Sequence, residues 1–167
     1  MTLGPPEVVL LIGLAVAAVT DARTGRIPNA LTGLLMALGL VWWATQGDPL
    51  FGLFGLLAAF ALHYVGWMLG VEKAGDAKLF MAIGAAIGWA EMIEATLWTA
   101  VVYLPVGLAV LAMQGRLANL VNAARHMLLK AQGVDPGEAP EPTMLRTAPI
   151  IAVGGAVAIF TDWVAVV

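Results

Sequence analysis

The basic residues of this chain are confined to three short stretches, and apolar runs separate those stretches. In chain order the stretches hold Arg23 and Arg26, then Lys73 and Lys78, then Arg116, Arg125, Lys130 and Arg146. The gaps between them carry only acids, Asp48 in the first and Glu91 with Glu94 in the second. Lysine and arginine near the ends of membrane spans are retained on the cytoplasmic side. The alternation therefore predicts a chain that crosses a membrane repeatedly and keeps its basic stretches in the cytosol.

Composition points to the same class of protein. Hydrophobic residues make up 61% of the chain and charged residues 11%, and the mean hydropathy is +0.91. So few polar groups cannot cover a soluble globule of this size. The net charge of −3 and the scattered basic residues argue against nucleic acid as a partner. The chain has no cysteine, which excludes disulfides and thiolate metal sites.

Six apolar segments are candidates for the roughly 20-residue helices that cross about 30 Å of hydrocarbon. Their approximate ranges are 5–21, 29–46, 50–71, 77–91, 94–113 and 147–166. The fourth is short for a full span and could instead be re-entrant, but the charge alternation requires it to cross. The first resembles a signal peptide at Ala15-Val16-Ala17 but lacks a cationic start. The sequence predicts an all-α integral membrane protein with six transmembrane helices and both termini outside.

Residues 114–146 form the only sizeable polar region. Up to residue 133 its apolar residues recur at helical spacing, with basic and polar residues largely on the opposite side. This pattern predicts a cytosolic amphipathic helix bound to membrane lipid, with a substrate lid as the alternative. The following VDPGEAPEPTML reads as an extended linker. We therefore divide the chain into a membrane domain (1–113), a cytosolic segment (114–146) and a sixth helix (147–167).

Chemistry is concentrated in two cytosolic strings, TDARTGRIPNAL at 20–31 and GVEKAGDAKLF at 70–80. In the first, Asp21 ends one helix, and Pro28 and Asn29 begin the next. In the second, Gly75 precedes Asp76 at the start of the fourth span, and its lack of a Cβ permits close approach of a backbone. If the first and fourth helices pack together, the two carboxylates face each other at the membrane boundary.

Two neighbouring aspartates share one proton, so one can act as a base while the other acts as an acid. That is the minimum equipment for peptide hydrolysis by activated water. Spacing alone favours a simpler interpretation, in which Asp21 and Asp76 only balance nearby basic residues in solvent. A metal pair is disfavoured because the strings contain no histidine. His63, inside the third span, is best interpreted as a neutral imidazole hydrogen-bonded to a neighbouring helix.

At these residues the chain resembles the type IV prepilin peptidase family, membrane aspartyl proteases of the GxGD type. The resemblance rests on an aspartate followed by Ile27-Pro28-Asn29 and on a later Gly75-Asp76-Ala77-Lys78-Leu79 that opens a helix. It runs over residues 5–113. It departs from the family at Lys73, which stands where the first motif glycine would be, and in lacking the cysteine-rich region that accompanies N-methyltransferase activity in longer members.

The resemblance implies that Asp21 and Asp76 are the catalytic pair, with Gly75, Lys78, Pro28 and Asn29 as motif and positioning residues. It implies an aspartic endopeptidase of a bacterial inner membrane, without metal or cofactor and without methyltransferase activity. Its substrate would be a pilin-like precursor whose basic leader ends in glycine, cut at the cytosolic face, and the compact chain is most similar to peptidases of tight-adherence (Flp-type) pilus systems. The alternatives are a small proton-coupled transporter and a non-catalytic pilus-assembly subunit.

Helix polarity gives an expectation for the two aspartates. Asp21 follows the C-terminal end of the first span, where the partial negative charge of the helix disfavours a carboxylate. Asp76 opens the fourth span, where the partial positive charge favours one. The sequence therefore predicts that Asp76 ionises more readily and that Asp21 holds the shared proton.

Overall fold

The computed structural model describes residues 3–115, 117–137 and 146–161, and these residues form helices joined by short turns. The helices are α1 (Pro5–Thr24), α2 (Asn29–Thr45), α3 (Pro49–Met68), α4 (Ala74–Ile87), α5 (Trp89–Met113), α6 (Leu117–Ala131) and α7 (Ala148–Thr161). The predicted all-α class is confirmed over this part of the chain. The linker predicted at 134–145 lies mostly outside the described residues, as does the end of the predicted sixth span beyond Thr161.

Three helices, α1, α3 and α5, are long and apolar enough to cross a membrane, whereas α2 and α7 are shorter apolar helices. The outward faces of the first helices carry exposed apolar side chains such as Ile12, Val41 and Phe54, about 60% exposed in each case. A continuous apolar surface of this kind matches contact with lipid. The chain is thus a membrane protein, and the count of six spans and their orientation stay predictions.

α4 is the central helix of the bundle and contacts α1, α2, α3 and α7. Its residues from Leu79 to Ile87 are buried except for Met81. A helix that is apolar on all sides belongs in the interior of a protein. Glycines allow its close approach to α3, because a Cβ on either Gly55 or Gly84 would clash with the other's carbonyl.

The turn between α4 and α5 differs from the sequence prediction. The range 77–91 placed the helix end beside Glu91, but α4 ends at Ile87 and α5 begins at Trp89. Gly88, with φ of 94°, breaks the helix. Glu91 and Glu94 therefore both belong to α5. The end of α4 is therefore set by the backbone conformation of Gly88 and not by the charged residues that follow it.

The chain forms two compact units. The first comprises residues up to Val102 and the segment from Arg146 onward, and the second comprises residues 103–145, of which 116 and 138–145 are not described. In the second unit α6 lies at the predicted amphipathic segment, with Leu117, Val121 and Leu128 exposed on its apolar face. The predicted domain boundaries at 113 and 146 and the lipid contact of α6 stay predictions.

Candidate active site

Asp21 lies in the last turn of α1 and is only 2% exposed. The helix ends at Gly25, which has a φ of 70° and donates its N–H to the carbonyl of Asp21 at 2.8 Å. Left-handed backbone at this position is typical of a glycine that caps a helix. Pro28 then serves as the N-cap residue of α2. These two turns keep Asp21 at the end of a helix instead of on a long loop, as the sequence predicted, and its side chain is buried.

Asp76 lies in the first turn of α4 and is 5% exposed. The helix starts after Lys73, whose carbonyl accepts the backbone N–H of Asp76 at 3.0 Å. Both candidate catalytic carboxylates are therefore buried in helical turns of the same unit. Ordinary solvated juxtamembrane aspartates, the simpler alternative from spacing, would be exposed.

The N-terminal end of α7 connects the two aspartates. The hydroxyl of Thr147 lies 2.7 Å from each carboxylate oxygen of Asp76. The backbone N–H of Ala148, the next residue, donates to Oδ2 of Asp21 at 3.1 Å. Because the two contacts come from consecutive residues, whose Cα atoms are about 3.8 Å apart, the two carboxylates share one small site.

Sequence analysis missed the role of α7 in this site. A local signal was present, since Thr147 followed closely by Pro149 is a typical helix start. The hydroxyl of Thr147 contacts Asp76 of α4. A helix start on the predicted cytosolic side offers free N–H groups at the level of the two aspartates.

Burial is the largest influence on the pKa of Asp76, which lies before the predicted span 77–91, and it raises that pKa. The hydrogen bond from Thr147 lowers the pKa, as do the charge of Lys73 and a hydrogen bond with its backbone, while the charge of Asp21 raises it. The net direction is upward. This is opposite to the expectation from helix polarity, which took account neither of burial nor of α7.

Three of the remaining predicted site residues make contacts between the segments that carry the two carboxylates. Lys78 donates from Nζ to the side-chain oxygen of Asn29 at 2.9 Å, which joins α4 to the start of α2. Gly75 faces Ile27, and a Cβ added to it would lie 3.5 Å from the nearest atom of that side chain. The two strings, 20–31 and 70–80, are thus brought together. The packing around Gly75 leaves room for a methyl group, so the described residues do not require glycine there.

A basic side chain accompanies the start of α7. The guanidinium of Arg146 lies over Gly25, the residue that ends α1. A cation near the C-terminal end of a helix is favourable because the carbonyl groups there carry partial negative charge. Arg146, Thr147 and Ala148 together therefore attach α7 to the elements that carry Asp21 and Asp76.

His63 of α3 is buried, and its ring stacks on Phe80 of α4. Its Nδ1 lies 2.9 Å from Glu72, and its Nε2 lies 3.1 Å from the hydroxyl of Thr96 on α5. The hydrogen bond to a neighbouring helix that the sequence predicted is confirmed. Among the described residues, no three histidine, aspartate or glutamate side chains converge on one point where they could hold a metal ion.

Comparison with known proteins adds one finding to this geometry. A family model described as the type IV leader peptidase family matches residues 8–108, which is more than half of the chain and includes Asp21 and Asp76. No curated protein and no solved structure gives a significant match.

Proposed function

Because the chain belongs to the type IV leader peptidase family, we propose that it is an aspartic endopeptidase in which Asp21 and Asp76 hydrolyse the leader peptide bond. The observation that carries the proposal is that consecutive residues, Thr147 and Ala148, bind the two buried carboxylates. Two carboxylates that share a site do not both ionise readily, so in this proposal the pair holds one proton between them.

One shared proton suffices for hydrolysis. The ionised aspartate removes a proton from a water molecule, whose oxygen forms a bond to the peptide carbonyl carbon. The protonated aspartate gives its proton to the carbonyl oxygen. In the second half the carbon–nitrogen bond breaks, the leaving amine takes the proton gained by the base, and the hydroxyl returns its proton to the acid. The pair ends in its starting state, and every step uses acid–base chemistry of the two aspartates alone.

The substrate we propose is a pilin-like precursor with a basic leader that ends in glycine, cut at the cytosolic face. The leader must lie extended across the site, and Gly75 next to Asp76, which has no Cβ, suits the approach of a peptide backbone. We assign no methyltransferase activity to the chain, which has no cysteine. Mass spectrometry of the processed product should accordingly find a free, unmethylated N-terminal amine.

The topology we propose has six crossings of a bacterial inner membrane, with the basic stretches in the cytosol. A cysteine-free chain allows a direct check with a membrane-impermeant thiol reagent. Gln46 and Gln132 are both exposed and lie at the predicted outer and inner sides. Gln46→Cys should react in intact cells and Gln132→Cys only after lysis. The opposite labelling pattern would mean that the charge alternation misassigns the sides.

The proposal is tested by replacing each carboxylate with its nearly isosteric amide. Asp21→Asn and Asp76→Asn should each reduce conversion of precursor to mature pilin by about 10²- to 10⁴-fold, the range typical of general acid–base groups. Asp48→Asn is a matched control, because Asp48 is an exposed N-cap of α3 and asparagine caps equally well. Processing near the wild-type rate by either Asp21→Asn or Asp76→Asn would overturn the proposal.

A further inference from the structure

The two hydrogen-bonding groups at the start of α7 differ in what they can do. The N–H of Ala148 can only donate, so the Asp21 oxygen at 3.1 Å must accept. The hydroxyl of Thr147 can donate or accept, and it lies at the same 2.7 Å distance from both oxygens of Asp76. A donor-only partner matches an ionised carboxylate. A hydroxyl partner matches a carboxyl group that alternates between its two protonation states.

We propose that Asp21, bonded by the Ala148 amide, is the resting base, that Asp76 is the resting acid, and that Thr147 is a positioning residue which holds the Asp76 carboxyl in both protonation states. The inference rests on the proposed function and deepens it, since it assigns each aspartate its role. In the ionised state Asp76 accepts the Thr147 hydroxyl proton. In the protonated state Asp76 keeps the same partner by donating to the threonine oxygen. The oxygens of Asp76 thus stay in place through proton transfer in both directions.

The surroundings of Asp76 agree with this assignment. Burial raises its pKa, and the charged groups that act on it are Lys73 at the start of its own helix and Asp21 on α1. Asp21 receives an N–H of the first turn of α7, where free amides and the helix dipole favour negative charge. The helix polarity of α1 alone would predict the reverse.

The substitutions that test the inference remove the hydroxyl but keep its volume. Thr147→Val should lower kcat for precursor cleavage by about 10- to 100-fold, the range for a hydrogen bond to a charged group, with KM changed less than about threefold. The same variant should move the alkaline limit of the pH–kcat profile upward. The reason is that the Thr147 bond lowers the pKa of Asp76, so without it the acid keeps its proton to higher pH. Thr147→Ser, which restores a hydroxyl, should recover both properties.

Thr20→Val is the matched control, since the Thr20 hydroxyl bonds only to the carbonyls of Val16 and Ala17 one turn back in α1. It should keep the wild-type kcat and pH profile. Thr147→Ala is a second hydroxyl-free variant in case valine is not accommodated, and it should behave as the valine variant does.

The outcomes separate the inference from the proposed function. If Asp76→Asn still processes precursor, the proposed function is wrong. If Asp76→Asn is inactive while the hydroxyl-free variants keep the wild-type kcat and alkaline limit, the proposed function stands and the inference is wrong. A loss of activity that serine does not restore and that leaves the alkaline limit unmoved would show a structural role only, and would also overturn the inference.

Discussion

At each end of α7 a threonine hydroxyl bonds a buried carboxylate, but the groups around the two carboxylates differ. At the N-terminal end the Thr147 hydroxyl bonds Asp76, and at the C-terminal end the Thr161 hydroxyl bonds Glu94 of α5. Asp76 and Glu94 are both buried. The first end adds a second carboxylate, Asp21, bonded by a backbone N–H, whereas the second end adds the indole N–H of Trp98 at 3.3 Å from Glu94.

Under the proposed function, the second carboxylate is what separates Asp76 from Glu94. Burial and a threonine partner are common to both ends, so neither feature by itself implies chemistry. A hydroxyl and an indole cannot take up or release protons near neutral pH. A second aspartate can, and it gives the N-terminal end an acid and a base together. We expect the Glu94 end to join α5 to α7 and the Asp76 end to perform hydrolysis.

The largest expected effect is a difference in precursor processing between amide substitutions at the two ends of α7. Glu94→Gln keeps an oxygen that can accept from both Thr161 and Trp98, so precursor processing should stay within about threefold of wild type. Asp76→Asn should lose about 10²- to 10⁴-fold in the same assay. Comparable losses in the two amide variants would mean that Glu94 also takes part in catalysis and that the comparison is wrong.

The next effect concerns stability and tests how α7 is held between its ends. A Cβ on Gly154 would lie 2.7 Å from the carbonyl oxygen of Ala95, and backbone cannot move aside easily. On Gly155 it would meet Leu14 at 2.9 Å, where a side chain can shift. Gly154→Ala should lower the free energy of unfolding by about 1–3 kcal/mol and Gly155→Ala by less. Thermal unfolding in detergent measures the difference, and equal effects would contradict the α5–α7 packing.

The smallest structural effect is expected beside Asp76. Gly75→Ala adds a methyl group in ordinary contact with Ile27, so the melting temperature should not fall. The value of kcat/KM for precursor should nevertheless fall, because the methyl group occupies the path of the peptide backbone. Gly33→Ala on α2 is the control, since a Cβ there has no neighbour within 4 Å, and it should change neither quantity. Wild-type kcat/KM in Gly75→Ala would place the substrate elsewhere.

The helices could be predicted from the sequence because each apolar run is nearly as long as the helix it forms. Local backbone geometry explains the main error, at Gly88, where the positive φ starts a new helix before Glu91. The sequence also placed Glu94 at an outer surface because of its charge. The Glu94 side chain is bonded by Thr161, which lies 67 residues further along the chain. A local sequence pattern cannot predict so distant a partner.

The candidate site was also predictable only in part. Asp21 and Asp76 stood out because two short motifs carry them, and contacts such as Lys78 with Asn29 join the segments that carry those motifs. Thr147 and Ala148 were missed because they lie 71 and 127 residues from their partners. Without α7, helix polarity gave the wrong direction for Asp76, whose pKa is raised mainly by burial. Motifs identified the two candidate aspartates, but the packing of distant helices determines their surroundings.

The central claim is that Asp21 and Asp76 act as one unit, and a double-mutant cycle tests it most directly. Single-turnover cleavage of precursor is measured for Asp21→Asn, Asp76→Asn and the double variant. Groups that work as a unit are strongly non-additive, so all three variants should fall to the same residual rate. A double variant that loses the product of the two single losses, or a single variant that keeps substantial activity, would contradict the shared site.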